Sequence, residues 1–176
     1  MTIHPKSRLL TESFSDLSVT TGRLTLMPEG PGHGGMLEDG KRVSEPFSAQ
    51  VPDSWPPAAV EPPTQDAIGW KRFYLSHTGS DRQESVIGIA GIGPWSVSSR
   101  TVQVGAALVP EYFGQRLGEE VVSALGKWAL SQPSFDSVVC DIPEHHEASA
   151  KSLSRAGYRK SDEAPAPGFV RFVMTR

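Results

Sequence analysis

Gly114 and Gly118 lie between an apolar run, Val102 to Val109, and a segment with helical spacing that begins at Leu117. A strand that enters a helix through a glycine-containing loop leaves several main-chain N–H groups without intrahelical partners and aimed at one spot. The chemistry this suits is anion binding, above all phosphate, because the amides and the positive end of the helix act together. Other groupings promise less. Cys140, His145 and His146 lack the spacing of a zinc ligand set, and a single cysteine excludes an internal disulfide or a cysteine-built zinc site. GPGHGG, Gly30 to Gly35, is too irregular for a nucleotide fingerprint and reads as a turn. Gly91-x-Gly93 has Ser96 where a dinucleotide loop needs its third glycine, and no crossover helix follows directly.

The elements that must hold the glycine loop follow from periodicity. Val102 to Val109 reads as a mostly buried strand stopped by Pro110. Leu117, Val121, Val122, Leu125, Trp128 and Ala129 recur on one helical face, with Glu119, Glu120, Ser123 and Lys127 on the others. The two acids suit the positive end of the dipole, and Gly126 is a mid-helix cost of about 1 kcal/mol relative to alanine. Upstream, residues 1–18 read as a mobile lead-in and Arg23 to Met27 as the first strand. Pro28 to Pro63 is rich in proline and glycine, and six prolines from Pro46 to Pro63 leave room for a stiff loop but no long helix or central strand. Thr64 to Ser76 reads as a helix capped by Thr64, with Ile68, Trp70, Phe73, Tyr74 and Leu75 as its apolar surface. His77 to Ser85 is a turn, Val86 to Ile92 a strand ended by Gly93-Pro94, and Ser96 to Arg100 a hairpin. Phe135 to Ile142 is the next strand. Glu147 to Ala156 is a second helix with Gly157 as its stop, and Phe169 to Met174 closes the sheet.

A chain of 176 residues is most naturally one domain with a full core. A net charge of -3 provides no field to attract nucleic acid or an anionic membrane. No apolar run reaches transmembrane length, and MTIHPKSRLL lacks the apolar core of a signal peptide, so a cytoplasmic protein is the simplest expectation.

These residues carry a further pattern. The sequence resembles the GNAT superfamily of acyl-coenzyme A-dependent N-acetyltransferases, and within it the branch related to ribosomal-protein N-terminal acetyltransferases. That branch has a glutamate-hydrophobic-glycine strand, P-x-Y, the loop R/Q-x-x-G-x-G/A, then E-A-x-x-A-L-x-x-W-A-F. Val104-Gly105, Pro110-Glu111-Tyr112, Glu120, Ala124-Leu125 and Trp128-Ala129 stand in matching register. Thr21 to Pro28 is similar to the family's opening strand, Val86 to Gly93 to its next central strand, and Glu147 to Tyr158 to its N-x-x-S-x-x-x-L-x-x-x-G-F segment. The resemblance implies a mixed α/β fold whose mostly antiparallel central sheet has two splayed central strands and flanking helices. Aligned backwards from Trp128, the six loop positions are Phe113 to Gly118, so Phe113 replaces the usual Arg or Gln and Arg116 the central glycine. Arg116 either crowds the site or turns outward and adds a charge-assisted bond to a phosphate.

The resemblance further implies direct acetyl transfer from acetyl-CoA to an amine acceptor in the cleft between the splayed strands, with no metal. Main-chain groups at Ala107, Leu108 and Val109 would pair with the pantetheine arm. Residues Gly114, Gln115, Arg116, Leu117, Gly118 and Glu119 would hold the pyrophosphate. Ser149 matches the family serine placed near the thioester sulfur and is the candidate proton donor; the tyrosine that other members use falls at Ser154. For the base, the usual glutamate is Gln103, which cannot accept a proton. Asp141, Glu144, His145 and His146 lie where a side chain could reach the cleft, and a water relay also fits. His146 also replaces the asparagine that usually bonds the pantetheine arm. Val51 to Pro57 is similar to a V-P-x-x-W-P-P stretch of some GNAT proteins, where Trp55 either walls the acceptor pocket or staples the loop to the core. A homodimer stays open. The competing reading is a degenerate module of the same fold that binds an acyl-CoA or a protein partner without turnover.

Overall fold

The computed structural model describes residues 19–28, 71–80, 83–96 and 98–176, with the backbone alone for 94–96. The strands are β1 (Val19–Thr20), β2 (Leu24–Pro28), β3 (Lys71–Thr78), β4 (Glu84–Ser96), β5 (Thr101–Leu108), β6 (Ser137–Pro143), β7 (Arg159–Lys160) and β8 (Phe169–Thr175). Two α-helices, α1 (Leu117–Ser131) and α2 (Glu147–Ala156), occur among the described residues, with a 3-10 turn at Pro110–Tyr112. The strands form one sheet in the order β1-β2-β3-β4-β5-β6-β8-β7. Every pairing is antiparallel except β5 with β6. This is the mixed α/β, mostly antiparallel architecture expected of the chain.

The periodic segments fold as their spacing requires. Leu117, Val121, Val122, Leu125 and Ala129 are buried along one face of α1, which packs on β5, β6 and α2. Full burial of a leucine or valine side chain stabilises by about 1.5–3 kcal/mol, so this face holds the helix far more firmly than its propensity does. In α2, Leu153 and Ala156 face the core, while Lys151 and Glu147 form an exposed pair at 3.7 Å on the solvated side. Gly157 ends α2 with φ 101 and donates its N–H to the carbonyls near the helix end.

The expected helix over Thr64 to Ser76 is corrected from Lys71 onward; Thr64 to Trp70 lie outside the described residues. Lys71–Thr78 is β3, paired with β2 on one side and β4 on the other. Phe73, Tyr74, Leu75 and Ser76 are all buried. A strand covered on both faces loses the alternation that marks half-buried strands, and its aromatic and branched residues then mimic a helical spacing. The chain closes the hairpin through a bond from Gly79 N to Gln83 O at 2.9 Å.

Gly93-Pro94 does not end β4, which runs on to Ser96. The register slips between Ile92 and Trp95, so the residue that has no N–H to offer the ladder is bypassed by a bulge. The two-residue strands β1 and β7 are too short for periodicity to detect. The lead-in 1–18, the segment 29–63 with its GPGHGG turn, and Trp55 lie outside the described residues.

Candidate active site

The parallel pair at the centre of the sheet is short. β5 and β6 pair at Thr101 with Ser137, Val102 with Val138 and Gln103 with Val139. Beyond these, β5 stays with β4 as far as Leu108, and β6 stays with β8 as far as Pro143. From Val104 onward the edge of β5 that faces β6 has no strand partner among the described residues, and a wedge opens between the two. At its far end Gly88 presses on β5, for a Cβ there would stand 2.3 Å from the Ala107 carbonyl oxygen. Ala107 and Leu108 are half-buried on the open strand. Val109 is fully buried and donates its N–H to Ile87 O at 2.9 Å, while its carbonyl accepts the Tyr112 N–H, so both of its main-chain groups are already in use.

At the open end of β5 the chain turns sharply. Tyr112 N bonds Val109 O at 3.1 Å and Phe113 N bonds Pro110 O at 3.0 Å. Gly114 then takes φ 76 and Arg116 takes φ 61, ψ 18, after which α1 begins. From Gly114 to Glu119 no main-chain N–H has an acceptor among the described residues; the first helical bond is Glu120 N to Arg116 O at 3.2 Å. Among the described residues, then, nothing competes with an anion for these six successive amides.

Both acids of this first turn are held by arginines. Arg116 Nε and Nη2 grip Glu119 Oε2 and Oε1 at 3.0 and 2.6 Å. Its hydrogen bonds hold the Glu119 carboxyl below the usual carboxylate range. Glu120 receives the hydroxyl of Thr21, the main-chain N–H of Arg23 at 2.9 Å, and the Arg23 guanidinium at 2.9 and 2.8 Å. Burial pushes the Glu120 carboxyl up, yet the Thr21 and Arg23 hydrogen bonds outweigh it and the net shift is downward. Arg23 Nη1 also donates to Gln115 O at 3.0 Å. A groove of about 650 Å³ runs over this flank of α1, lined among others by Arg23, Arg116, Ser123, Lys127 and Arg155.

The family comparison matches this geometry. The model described as an acetyltransferase (GNAT) domain matches residues 42–159, two thirds of the chain. The chain belongs to the GNAT acetyltransferase family. The structure of an acetyltransferase from Agrobacterium tumefaciens is similar at TM-score 0.61 and 19% identity, covering 93% of this chain and 96% of that one. A proposed ribosomal-protein-serine acetyltransferase from Vibrio cholerae is similar at TM-score 0.63 and 13% identity, covering 92% and 98%. The microcin C7 self-immunity acetyltransferase, solved with acetyl-CoA and AMP, is similar at TM-score 0.50 and 10% identity, covering 61% of each chain. These likenesses concern the fold. A search of curated proteins finds no match to the sequence.

Within this GNAT chain the remaining site residues separate clearly. Arg116 does not plug the loop: its side chain is 63% exposed and turned onto Glu119. Its positive φ gives a reason for the glycine that the family pattern has at this position, since the left-handed region disfavours any Cβ. Phe113 is exposed, a large apolar ring beside the amide cluster. Asp141, expected as a base, is instead the cross-strand partner of Arg171, which takes both carboxylate oxygens at 2.8 Å. With a side chain only 5% exposed and both oxygens engaged, Asp141 is not free to collect a proton from the cleft. His146 precedes α2 and forms no side-chain cap; its ring meets His145 edge-on at 4.9 Å, and both residues are exposed. Glu144 is likewise exposed. Ser149 lies half-buried in the first turn of α2. Cys140 is buried next to Asp141, and burial with that neighbouring charge pushes its thiol up to about 12. Among the described residues no three His, Cys, Asp or Glu side chains gather as a metal set.

The residues that sequence reasoning left without a role are Thr21 and Arg23. Their segment was legible as the opening strand, but nothing in a linear pattern joins Arg23 to Glu120, 97 positions later.

Proposed function

We propose that this chain moves the acetyl group of acetyl-CoA directly to a primary amine, on a small molecule or a peptide N-terminus. The observation that carries the reading is the run of amides from Gly114 to Glu119 that have no acceptor among the described residues, at the end of a strand whose one edge has no strand partner among them. Such a donor set fits a diphosphate, and the open edge of β5 fits an extended amide-bearing arm. Acetyl-CoA supplies the activated acetyl group.

The chain's own residues then have three tasks. The amides from Gly114 to Glu119 hold the diphosphate, and the backbone at Ala107 and Leu108 lays the arm along β5. The wedge keeps the amine and the thioester carbonyl at reacting distance, which removes the entropic cost of a bimolecular encounter. Ser149 donates a proton to the departing thiolate. The amine's own proton passes to water: Asp141 is held by Arg171 and Gln103 has no basic oxygen or nitrogen. The choice of a primary amine rests on the resemblance of Pro110 to Ala129 to the ribosomal-protein branch.

The test measures free thiol when the protein meets acetyl-CoA and a panel of amines and peptides. Thiol release with at least one acceptor is expected, with Ser149→Ala slowing turnover about 10²-fold or more. Coenzyme A binding without thiol release across the panel would favour the non-catalytic module, which the engaged Asp141 and the substituted Gln103 also favour.

A further inference from the structure

An unbonded set of amides at a helix start is fragile when acids share the same turn. A carboxylate there is drawn to the free N–H groups, as in a capping box, and one left unpaired would repel an incoming phosphate. In α1, Arg116 carries no side-chain cap, and two acids stand in the first turn. Neither carboxylate reaches back to the amides. Glu119 is turned onto Arg116, and Glu120 is turned away to the segment entering β2.

Arg23 does more than neutralise Glu120. The same guanidinium holds Gln115 O at 3.0 Å. In a trans peptide the carbonyl and the next N–H point in opposite directions, so fixing Gln115 O on the β2 side fixes the Arg116 N–H on the other. The planar fork of arginine suits this double role; a lysine ammonium cannot span both acceptors in one plane.

We propose that Arg23 is a positioning residue for the diphosphate, acting through Glu120 and the Gln115 carbonyl to keep the amides of the loop open and aimed. This rests on the acetyl-CoA reading. It assigns a role in cofactor affinity to a residue at the far end of the sequence that touches neither the reacting atoms nor the helix it organises by more than these contacts.

The experiment compares Arg23→Met, Arg23→Lys and Glu120→Gln with the unaltered protein, by calorimetry with coenzyme A and by turnover of acetyl-CoA against acetyl-pantetheine, which lacks the diphosphate. Arg23→Met should weaken coenzyme A about tenfold, raising KM for acetyl-CoA at nearly unchanged kcat, with kcat/KM for acetyl-pantetheine unmoved. Arg23→Lys should recover only part of the loss. If Arg23→Met does not fold, Glu120→Gln must give the same split between donors. Equal losses with both donors, as general damage would cause, overturn the inference, and so does unchanged coenzyme A affinity; the acetyltransferase reading survives either result. If the unaltered protein does not bind coenzyme A, that reading falls and this inference with it.

Discussion

Gly126 lies in the middle of α1, where helix propensity alone predicts that alanine would stabilise by about 1 kcal/mol. The structure predicts the opposite. A Cβ at this position would stand 2.5 Å from the Tyr158 hydroxyl oxygen, 3.0 Å from Met174 Sδ and 3.2 Å from Tyr158 Cζ. Tyr158 is 2% exposed and donates its hydroxyl to Val122 O at 3.0 Å, one turn before the glycine. Gly126→Ala therefore forces either overpacking, at about 1–3 kcal/mol, or withdrawal of the ring and loss of a buried hydrogen bond, at about 1–3 kcal/mol. The typical cost of either route, about 2 kcal/mol, exceeds the propensity gain and leaves a net loss of about 1 kcal/mol. For a chain of this length that is a fall in Tm of about 2–4 °C. Thermal melting by circular dichroism reads it directly. Tyr158→Phe removes the colliding oxygen, so in that background the cost of Gly126→Ala should shrink, a coupling that a double-mutant cycle isolates. A rise in Tm for Gly126→Ala alone would refute the packing of α1 against Tyr158, and with it the placement of the helix whose start carries the amide cluster.

Other outcomes follow from the same contacts. Because Glu119 and Glu120 both titrate below the ordinary carboxylate range in the folded chain, the stability they contribute is fully present above about pH 4.3. It is lost as pH falls through their lower folded values, so Glu120→Gln should flatten the acid limb of a stability profile and leave its neutral part nearly parallel. Asp141→Asn removes the charge that holds Arg171 and should cost about 2 kcal/mol in urea unfolding, while the pH profile of acetyl transfer should stay unchanged, since both Asp141 oxygens are held by Arg171. Cys140 should resist thiol reagents in the native protein and react at the rate of unfolding, since it is buried and its thiol is pushed up. Arg116→Gly should raise Tm, because glycine accepts φ 61 freely and the lost Glu119 pair is solvent-exposed.

Much of this molecule was legible because its helices and several strands are periodic. The buried stripe of α1, the Gly157 stop of α2 and the run into Pro110 all express one-dimensional rules. β3 was misread because burial on both faces erased its alternation, and the Pro94 boundary failed because a bulge absorbs the missing N–H. In the site, the glycine loop was visible, but its arginine-held acids were not. Arg23 with Glu120 depends on how β2 sits beside α1, and Asp141 with Arg171 on the β6–β8 register. A side chain such as Asp141 can reach a cleft by sequence position and still be claimed by the neighbouring strand.

The account depends on the amides that begin α1 receiving the cofactor's diphosphate. Titrating coenzyme A into the ¹⁵N-labelled chain and following each backbone amide tests this most directly. The expected result is saturable shifts that are largest from Gly114 to Glu119 and continue along Ala107 and Leu108. Saturable binding that leaves those amides unmoved, or no shift at coenzyme A concentrations well above 1 mM, a typical upper limit for substrates, would contradict it.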